Sequence, residues 1–233
     1  MKAFLLAAGL GTRLRPITDN IPKCLIPING KPLLYIWLDL LEQEGIEEVL
    51  INVHYLGYEI DKAITARKNF IKIHLFYEEK LLGSAGTLIR NKDFVKGEEN
   101  FYFLFSDNLT NVSLKEIYDF HKKKDSLFTT YAYYTDVPFR KGIFEFDDKS
   151  GKVISFEEKP EKPKSNLASA GIGVLNYGIF NYIKNLKFED FSRDVMPRIV
   201  DKMYVLKTKK YIKDIGTKED YLTAQKEWML IKS

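Results

Sequence analysis

The sequence has a single cysteine, Cys24, in 233 residues, so no intramolecular disulfide can staple the fold. One thiol fits a reducing compartment. Histidine is nearly as scarce: His54, His74 and His121 are scattered, and none stands at metal-ligand spacing with Cys24, so they read as structural or surface groups. There is no G-x-S-x-G elbow, which excludes Ser-His-Asp chemistry of that type. No apolar run approaches the ~20 residues of a membrane span. Lys2 is followed by only six apolar residues and then by glycine, too short for the core of a secretion signal. The net charge of +4 comes without a lysine block, which permits an anionic ligand but gives no nucleic-acid signature. No linker, low-complexity tract or repeat interrupts the chain, and no hexapeptide repeats suggest a β-helix extension. The expectation is a cytoplasmic protein with one generous α/β domain, or at most two small ones, no membrane and no nucleic acid.

What is present is a rhythm. KAFLLAA (2–8) predicts a buried first strand. Pro32 sits where a helix would begin, and Leu33, Leu34, Trp37, Leu38 and Leu41 recur at helical spacing up to Gly45. VLINV (49–53) predicts a strand, 58–68 a helix, IKIHLFY (71–77) a strand, and FYFLFSD (101–107) a strand that ends on an acid. Ser113 and Glu116 form a capping-box pattern that opens a helix through His121. FTTYAYY (128–134) reads as a central strand, its tyrosines as sheet packing. GIFEFDDKSGKVISFEEKP reads as a hairpin turning at DDKSG. Helical signals return at 177–185 and 190–202, and Thr217 with Asp220 caps a last helix. This β-α-β-α order argues for an α/β fold, mostly parallel, with helices on both faces.

Several stretches carry chemistry. In LAAGLGTRLRP, a glycine-rich turn after a strand can aim backbone N–H groups at phosphate, with Arg13 and Arg15 behind it. It is not a P-loop, because no Gly-Lys-Ser/Thr follows, and not a dinucleotide fingerprint, because Leu14 stands where the third glycine belongs. In IPKCLIPINGKP, prolines 22, 27 and 32 stiffen the backbone around Lys23. Asp107 ends a strand, where open α/β sheets bind ligands, and a carboxylate there suits Mg²⁺. Asp214, in KDIGT, occupies a similar place near the end of the chain, and FEEKP sets Glu158 and Lys159 at the end of a hairpin strand.

In order and spacing these pieces resemble the sugar-1-phosphate nucleotidyltransferases, whose signature is usually written G-x-G-T-R-L, then P-K-x-L-x-P. The resemblance runs through LGSAGTL (82–88), Asp107, Gly142, FEEKP, SAGIGVL (169–175) and KDIGTKEDY (213–221), nearly the whole chain. It is nearest in look to the guanylyltransferases of mannose 1-phosphate or a manno-heptose 1-phosphate. Two positions depart from the usual pattern: Ser106 stands where many members have glycine, and Cys24 where many have proline.

The resemblance implies a Rossmann-like, glycosyltransferase-A-like fold: a mixed, mostly parallel sheet flanked by helices, with a small β-hairpin sugar-binding subregion. One domain over 1–233 would divide into a nucleotide-binding part (about 1–135), a sugar-binding part (about 136–216) and a C-terminal helix (217–231). It implies that Ala8, Gly9, Gly11 and Thr12 wrap the nucleotide phosphates, that Arg13 clamps them, and that Lys23 neutralises the reacting phosphate. Gly83, Gly86 and Thr87 would lie by the nucleobase, and Asp107 and Asp214 would hold Mg²⁺. Asn108, Gly142, Glu158 and Gly171 would contact the sugar, and Lys159 its phosphate. Arg13, Lys23 and Asp107 are the implied catalytic set.

The implied reaction joins an NTP and a sugar 1-phosphate to give an NDP-sugar and pyrophosphate, supplying sugars for cell-surface polysaccharide. GTP is favoured, with uridylyl, thymidylyl or cytidylyl transfer to glucose 1-phosphate or another sugar 1-phosphate as the alternative. A phosphate nucleophile is already largely dianionic at neutral pH, so no catalytic histidine is needed. A non-catalytic nucleotide-sugar-binding subunit predicts damage at Arg13, Lys23, Asp107 or Asp214, and all four are intact. A homo-oligomer is compatible with the sequence.

Overall fold

In the computed structural model, residues 1–183 and 190–232 are described. The chain opens with strand β1 (Lys2–Leu6), then a two-strand ribbon of β2 (Pro27–Ile28) and β3 (Lys31–Pro32), helix α1 (Leu33–Gln43), β4 (Glu48–Val53), α2 (Gly57–Ala66) and β5 (Lys72–Tyr77). Helix α3 (Gly83–Arg90) leads to β6 (Asn100–Phe105), the short β7 (Asn108–Thr110), α4 (Leu114–Lys124) and β8 (Phe128–Tyr134). Then come β9 (Gly142–Phe146), β10 (Val153–Glu158), the long β11 (Leu167–Asn176), α5 (Ile179–Ile183), β12 (Met203–Lys207), β13 (Ile212–Asp214) and α6 (Lys218–Lys232). The fold class is the one read from the sequence, a mixed sheet flanked by helices.

Two compact units divide the chain. Unit one holds Met1–Leu81, Phe105–Val112 and Tyr211–Ser233; unit two holds Leu82–Leu104 and Ser113–Lys210. In unit one β1, β4 and β5 run parallel, with Leu5 opposite Ile51 and Ile51 opposite Leu75. β1 and β4 are almost entirely buried, as their unbroken apolar runs require. Helix α1 buries Leu33, Leu34, Trp37, Leu38 and Leu41, the residues read as its apolar stripe. Pro32 is its N-cap rather than its first residue. β7 and β13 form a separate antiparallel ribbon, with Asn108 opposite Asp214. Helix α6 braces the proline-rich segment: Tyr221 Oη and Gln225 Nε2 both donate to the Pro27 carbonyl, at 3.0 and 2.7 Å.

In unit two β11 is the organiser. It pairs antiparallel with β6 and β8 and meets β9 at Ala168–Ile143. β8 lies between β11 and the parallel β12, so FTTYAYY is indeed an interior strand. The β9–β10 hairpin turns at Asp147, whose side chain accepts from the Ser150 N–H at 2.7 Å. Ser113 caps α4, accepting from the Glu116 N–H at 3.3 Å. The return half of that capping box is replaced, because Glu116 Oε2 accepts from Tyr131 Oη at 3.1 Å.

One helix reading changes. Residues 190–202 form not one helix but a wide turn at Phe191–Val195 and tight turns at Met196–Arg198 and Val200–Lys202. Pro197 lacks the N–H that a continuous helix needs there. The helix expected over 177–185 is seen as α5; residues 184 and 185 lie outside the described residues.

Candidate active site

Unit one collects the motif residues Arg13, Lys23, Asp107 and Asp214. β1 ends at Leu6, and the chain runs on through Ala8 and Gly9 to Gly11, which has φ +64° and so adopts a backbone that favours glycine. A Cβ at Gly11 would come within 3.0 Å of Thr18 Cγ2 and 3.3 Å of Lys23 Cβ. Thr18, fully buried, donates its hydroxyl to the Gly11 carbonyl at 2.7 Å. Gly9 differs: its φ is not positive, and a Cβ there would meet nothing within 4 Å. Thr12 and Arg13 follow on an exposed tight turn, Thr12–Leu14.

Lys23 opens another tight turn, Lys23–Leu25, directly after Pro22. Cys24 and Ile26 are buried beside it, which fixes the turn and leaves the lysine to reach outward. Its Nζ lies 2.5 Å from Asp107 Oδ2, and the two side chains are 12% and 34% exposed. Burial pushes the Cys24 thiol up to about 12, so it stays protonated and supplies no nucleophile.

Asp107 sits between β6 and β7. The N–H of Ser106 bonds back to the Leu6 carbonyl at 3.0 Å, and the Ile215 N–H bonds to the Asp107 carbonyl at 2.8 Å. Asp214 is the last residue of β13 and lies opposite Asn108 on β7, so the ribbon sets it across from the residue that follows Asp107. Gly216 keeps this corner open: a Cβ there would lie 3.3 Å from Asp214 Oδ1 and 3.4 Å from Arg13 Nη2. The fold therefore assembles Arg13, Lys23, Asp107, Asn108 and Asp214 from four separate stretches of sequence within one unit.

The donor set fits Mg²⁺. Two carboxylates are hard oxygen donors, and Mg²⁺ typically takes one or two of them together with substrate phosphates. No group of three or more His, Cys, Asp or Glu side chains suited to a metal occurs among the described residues, so an all-protein cage is not built there.

Unit two holds the other motif residues. Gly83, at φ +72°, opens α3, and Thr87 turns inward to donate its hydroxyl to the Gly83 carbonyl at 3.0 Å; Gly86 is on the same helix. Glu158 ends β10 opposite Gly142 on β9. A Cβ at Gly142 would lie 2.6 Å from the Phe156 ring and 2.7 Å from Glu158 Oε2, so only glycine fits. Burial raises the Glu158 carboxyl above its ordinary range, with Asp190 adding to the rise and Lys159 opposing it. Lys159 Nζ stands 3.7 Å from Glu158 Oε1, on a residue held at φ +50°. Gly171, at φ +64°, lies where the β11–β8 register shifts between Ser169 and Gly173, a bulge for which glycine is suited. The sequence did not single out Thr18, Asn52, Glu78 or Gly216. Gly216 lay within the quoted KDIGT; Asn52 and Glu78 act through partners 45 and 26 residues away, and Thr18 through a loop carbonyl seven residues back, so no periodic pattern marks them.

An α/β unit whose strand-end loops gather two cations and two carboxylates is suited to phosphate groups and a hard divalent cation. A nucleotidyl transferase family model matches residues 2–229, and the chain belongs to that family. The UTP–glucose-1-phosphate uridylyltransferase of Synechocystis sp. is 33% identical over 242 residues, covering 96% of this chain and 62% of its own length. Mannose-1-phosphate guanylyltransferase 1 of Arabidopsis thaliana is 31% identical over 232 residues, covering 96% and 63%. The chain thus spans somewhat under two thirds of these curated relatives. HddC from Yersinia pseudotuberculosis is similar in structure, with a TM-score of 0.82 and 26% identity over 97% of this chain and 99% of that one. HddC has also been solved complexed with GMP-PN. No helix among the described residues is long and apolar enough to cross a membrane.

Proposed function

We propose that the protein transfers a nucleoside monophosphate from an NTP to a sugar 1-phosphate, releasing pyrophosphate. The observation that carries this is the joining, in unit one, of the Lys23–Asp107 pair to Arg13 and Asp214 at the ends of β1, β6 and β13. The nucleophile is a sugar-phosphate oxygen, largely dianionic at neutral pH, so the protein has no proton to remove. Its task is to bring polyanions together in line and to neutralise them. In this reading the Ala8–Thr12 backbone and Arg13 bind the triphosphate. Lys23 lies against the α-phosphate and strengthens there as charge develops in the transition state. Asp107 and Asp214 hold Mg²⁺, which supplies charge neutralisation to the phosphates when bound. Gly83, Gly86 and Thr87 in unit two are assigned to the nucleobase. Gly142, Glu158 and Gly171, with Asn108 in unit one, are assigned to the sugar, and Lys159 to its phosphate.

The preferred pair is GTP with mannose 1-phosphate or a manno-heptose 1-phosphate, supported by the guanylyltransferase relatives and by the GMP-PN complex of HddC. A second reading, uridylyl transfer to glucose 1-phosphate, is favoured by the Synechocystis relative. The product would serve as a sugar donor for cell-surface polysaccharide in the cytoplasm, and the chain is compatible with a homo-oligomer. The test is pyrophosphate release with Mg²⁺ across GTP, UTP, dTTP, CTP and ATP against mannose, heptose and glucose 1-phosphates. Release with GTP and a manno-sugar supports the first reading, and release with UTP and glucose 1-phosphate the second. Silence across the whole grid from folded protein contradicts both.

A further inference from the structure

β1 leaves its ladder at one defined point. Leu6 is the register partner of Asn52 on β4, but the next N–H, that of Ala7, bonds to a side chain: Asn52 Oδ1, at 2.8 Å. Asn52 Nδ2 in turn donates to Glu78 Oε1 at 2.9 Å. The two residues are only 4% and 5% exposed. Glu78 is itself fixed by its backbone, its N–H on the Val53 carbonyl at 2.9 Å and its carbonyl accepting from His54 Nδ1 at 2.7 Å. A buried amide and a buried carboxyl are costly unless paired, and an apolar pair would fill this space more cheaply. The pairing also fixes the amide's orientation. The Ala7 N–H can only donate, so Oδ1 must face Ala7, which leaves Nδ2 to face Glu78.

We propose that Asn52 is a positioning residue for the nucleotide loop, with Glu78 as its lock. The Asn52 carbonyl oxygen ends the β1–β4 ladder in place of a backbone acceptor and sets the direction in which Ala8–Arg13 departs. On its other flank the same strand end is held by the Ser106 N–H on the Leu6 carbonyl, one residue before Asp107. This inference rests on the proposed role of that loop in binding the NTP phosphates.

The test compares three variants with the wild-type chain. Asn52→Asp keeps the acceptor for Ala7 but sets two carboxylates face to face. Asn52→Asp combined with Glu78→Gln reverses the pair, keeping the acceptor and returning a donor from position 78. Arg13→Ala probes the loop itself. GTP and UTP are titrated calorimetrically with Mg²⁺, KM and kcat are read from pyrophosphate release, and each variant is melted.

The expected result is about a tenfold loss of NTP affinity in Asn52→Asp, with the KM for sugar 1-phosphate moved less than about twofold. The reversed pair should return to within about threefold of wild type. Wild-type NTP affinity in Asn52→Asp, or no recovery in the reversed pair, overturns the inference. If Asn52→Asp does not fold, the reversed pair decides: binding within about threefold of wild type supports the relay, and weaker binding overturns it. Unchanged NTP binding in Arg13→Ala removes the loop reading while leaving the relay's own result legible. Binding of neither nucleotide by the wild-type chain overturns both.

Discussion

Gly9 in unit one and Gly142 in unit two are both motif glycines, and the folds around them make opposite demands. A side chain at Gly9 would touch no protein atom within 4 Å, and the backbone there does not call for glycine. A side chain at Gly142 would strike the Phe156 ring and the Glu158 carboxylate at 2.6 and 2.7 Å. The same contrast separates the two sets of motif residues. In unit one the charged groups hang from turns that follow strands, and the core beneath them (Leu14, Cys24, Ile26) fixes their bases without enclosing their tips. In unit two Gly142 and Glu158 are paired in a β-ladder and Gly171 sits in a β-bulge, where packing and register already constrain them. A motif glycine can therefore report a ligand's approach or the protein's own packing, and the structure tells which.

The largest expected effect lies in unit one. Lys23→Ala should lower kcat by about 10²–10³, the range found when a group that stabilises developing charge is removed. Its melting temperature should stay within a few degrees, since the Lys23–Asp107 pair is partly exposed and lies outside the apolar core. A collapse of stability with intact turnover per folded molecule would erase the contrast.

In unit two the next effect is on stability. Gly142→Ala should cost about 1–3 kcal/mol by overpacking, read as a lower urea midpoint, and should raise the KM for sugar 1-phosphate by displacing Glu158. A neutral outcome would show that the Phe156 ring moves aside freely.

His121 gives unit two an acid sensitivity of similar size. It is buried, its Nδ1 and Nε2 lie 2.9 and 3.0 Å from Thr129 Oγ1 and Asn100 Oδ1, and burial lowers its pKa from 6.5 to about 4. Its unfolded form takes up the proton first as pH falls, so stability is lost between about pH 6.5 and 4, by up to about 3 kcal/mol. In His121→Gln the stability–pH slope over that window should flatten; an unchanged slope would assign the loss to other groups.

The smallest structural effect is expected at Gly9. Gly9→Ala should leave the melting temperature within about two degrees while weakening NTP binding. Gly11→Ala, at φ +64° against Thr18, should cost about 1 kcal/mol or more. Equal melting temperatures for the two would contradict the distinction between them.

Much of the frame was legible in the sequence because it rests on local patterns. The apolar runs of β1, β4, β6 and β8, the stripe of α1, the Asp147 turn and the Ser113 cap all lie within a few residues of their cause. The order of the motifs was legible too. What was not legible depends on distant partners or on elements too short to carry a period. β7 and β13 have three residues each, yet their pairing sets Asn108, the residue after Asp107, opposite Asp214. The Ala7–Asn52–Glu78 relay joins three strand ends across 45 and 26 residues. The apolar spacing over 190–202 read as a helix, and Pro197 broke it into turns.

The central claim is that the unit-one cluster, with Asp107 at its middle, is where the phosphoryl chemistry takes place. The most direct measurement is single-turnover formation of NDP-sugar by Asp107→Asn, with both substrates saturating and Mg²⁺ varied. The account predicts a chemical step slowed by at least about a hundredfold, partly recovered at high Mg²⁺, in a protein that melts like the wild type. A wild-type rate at ordinary Mg²⁺ would contradict it.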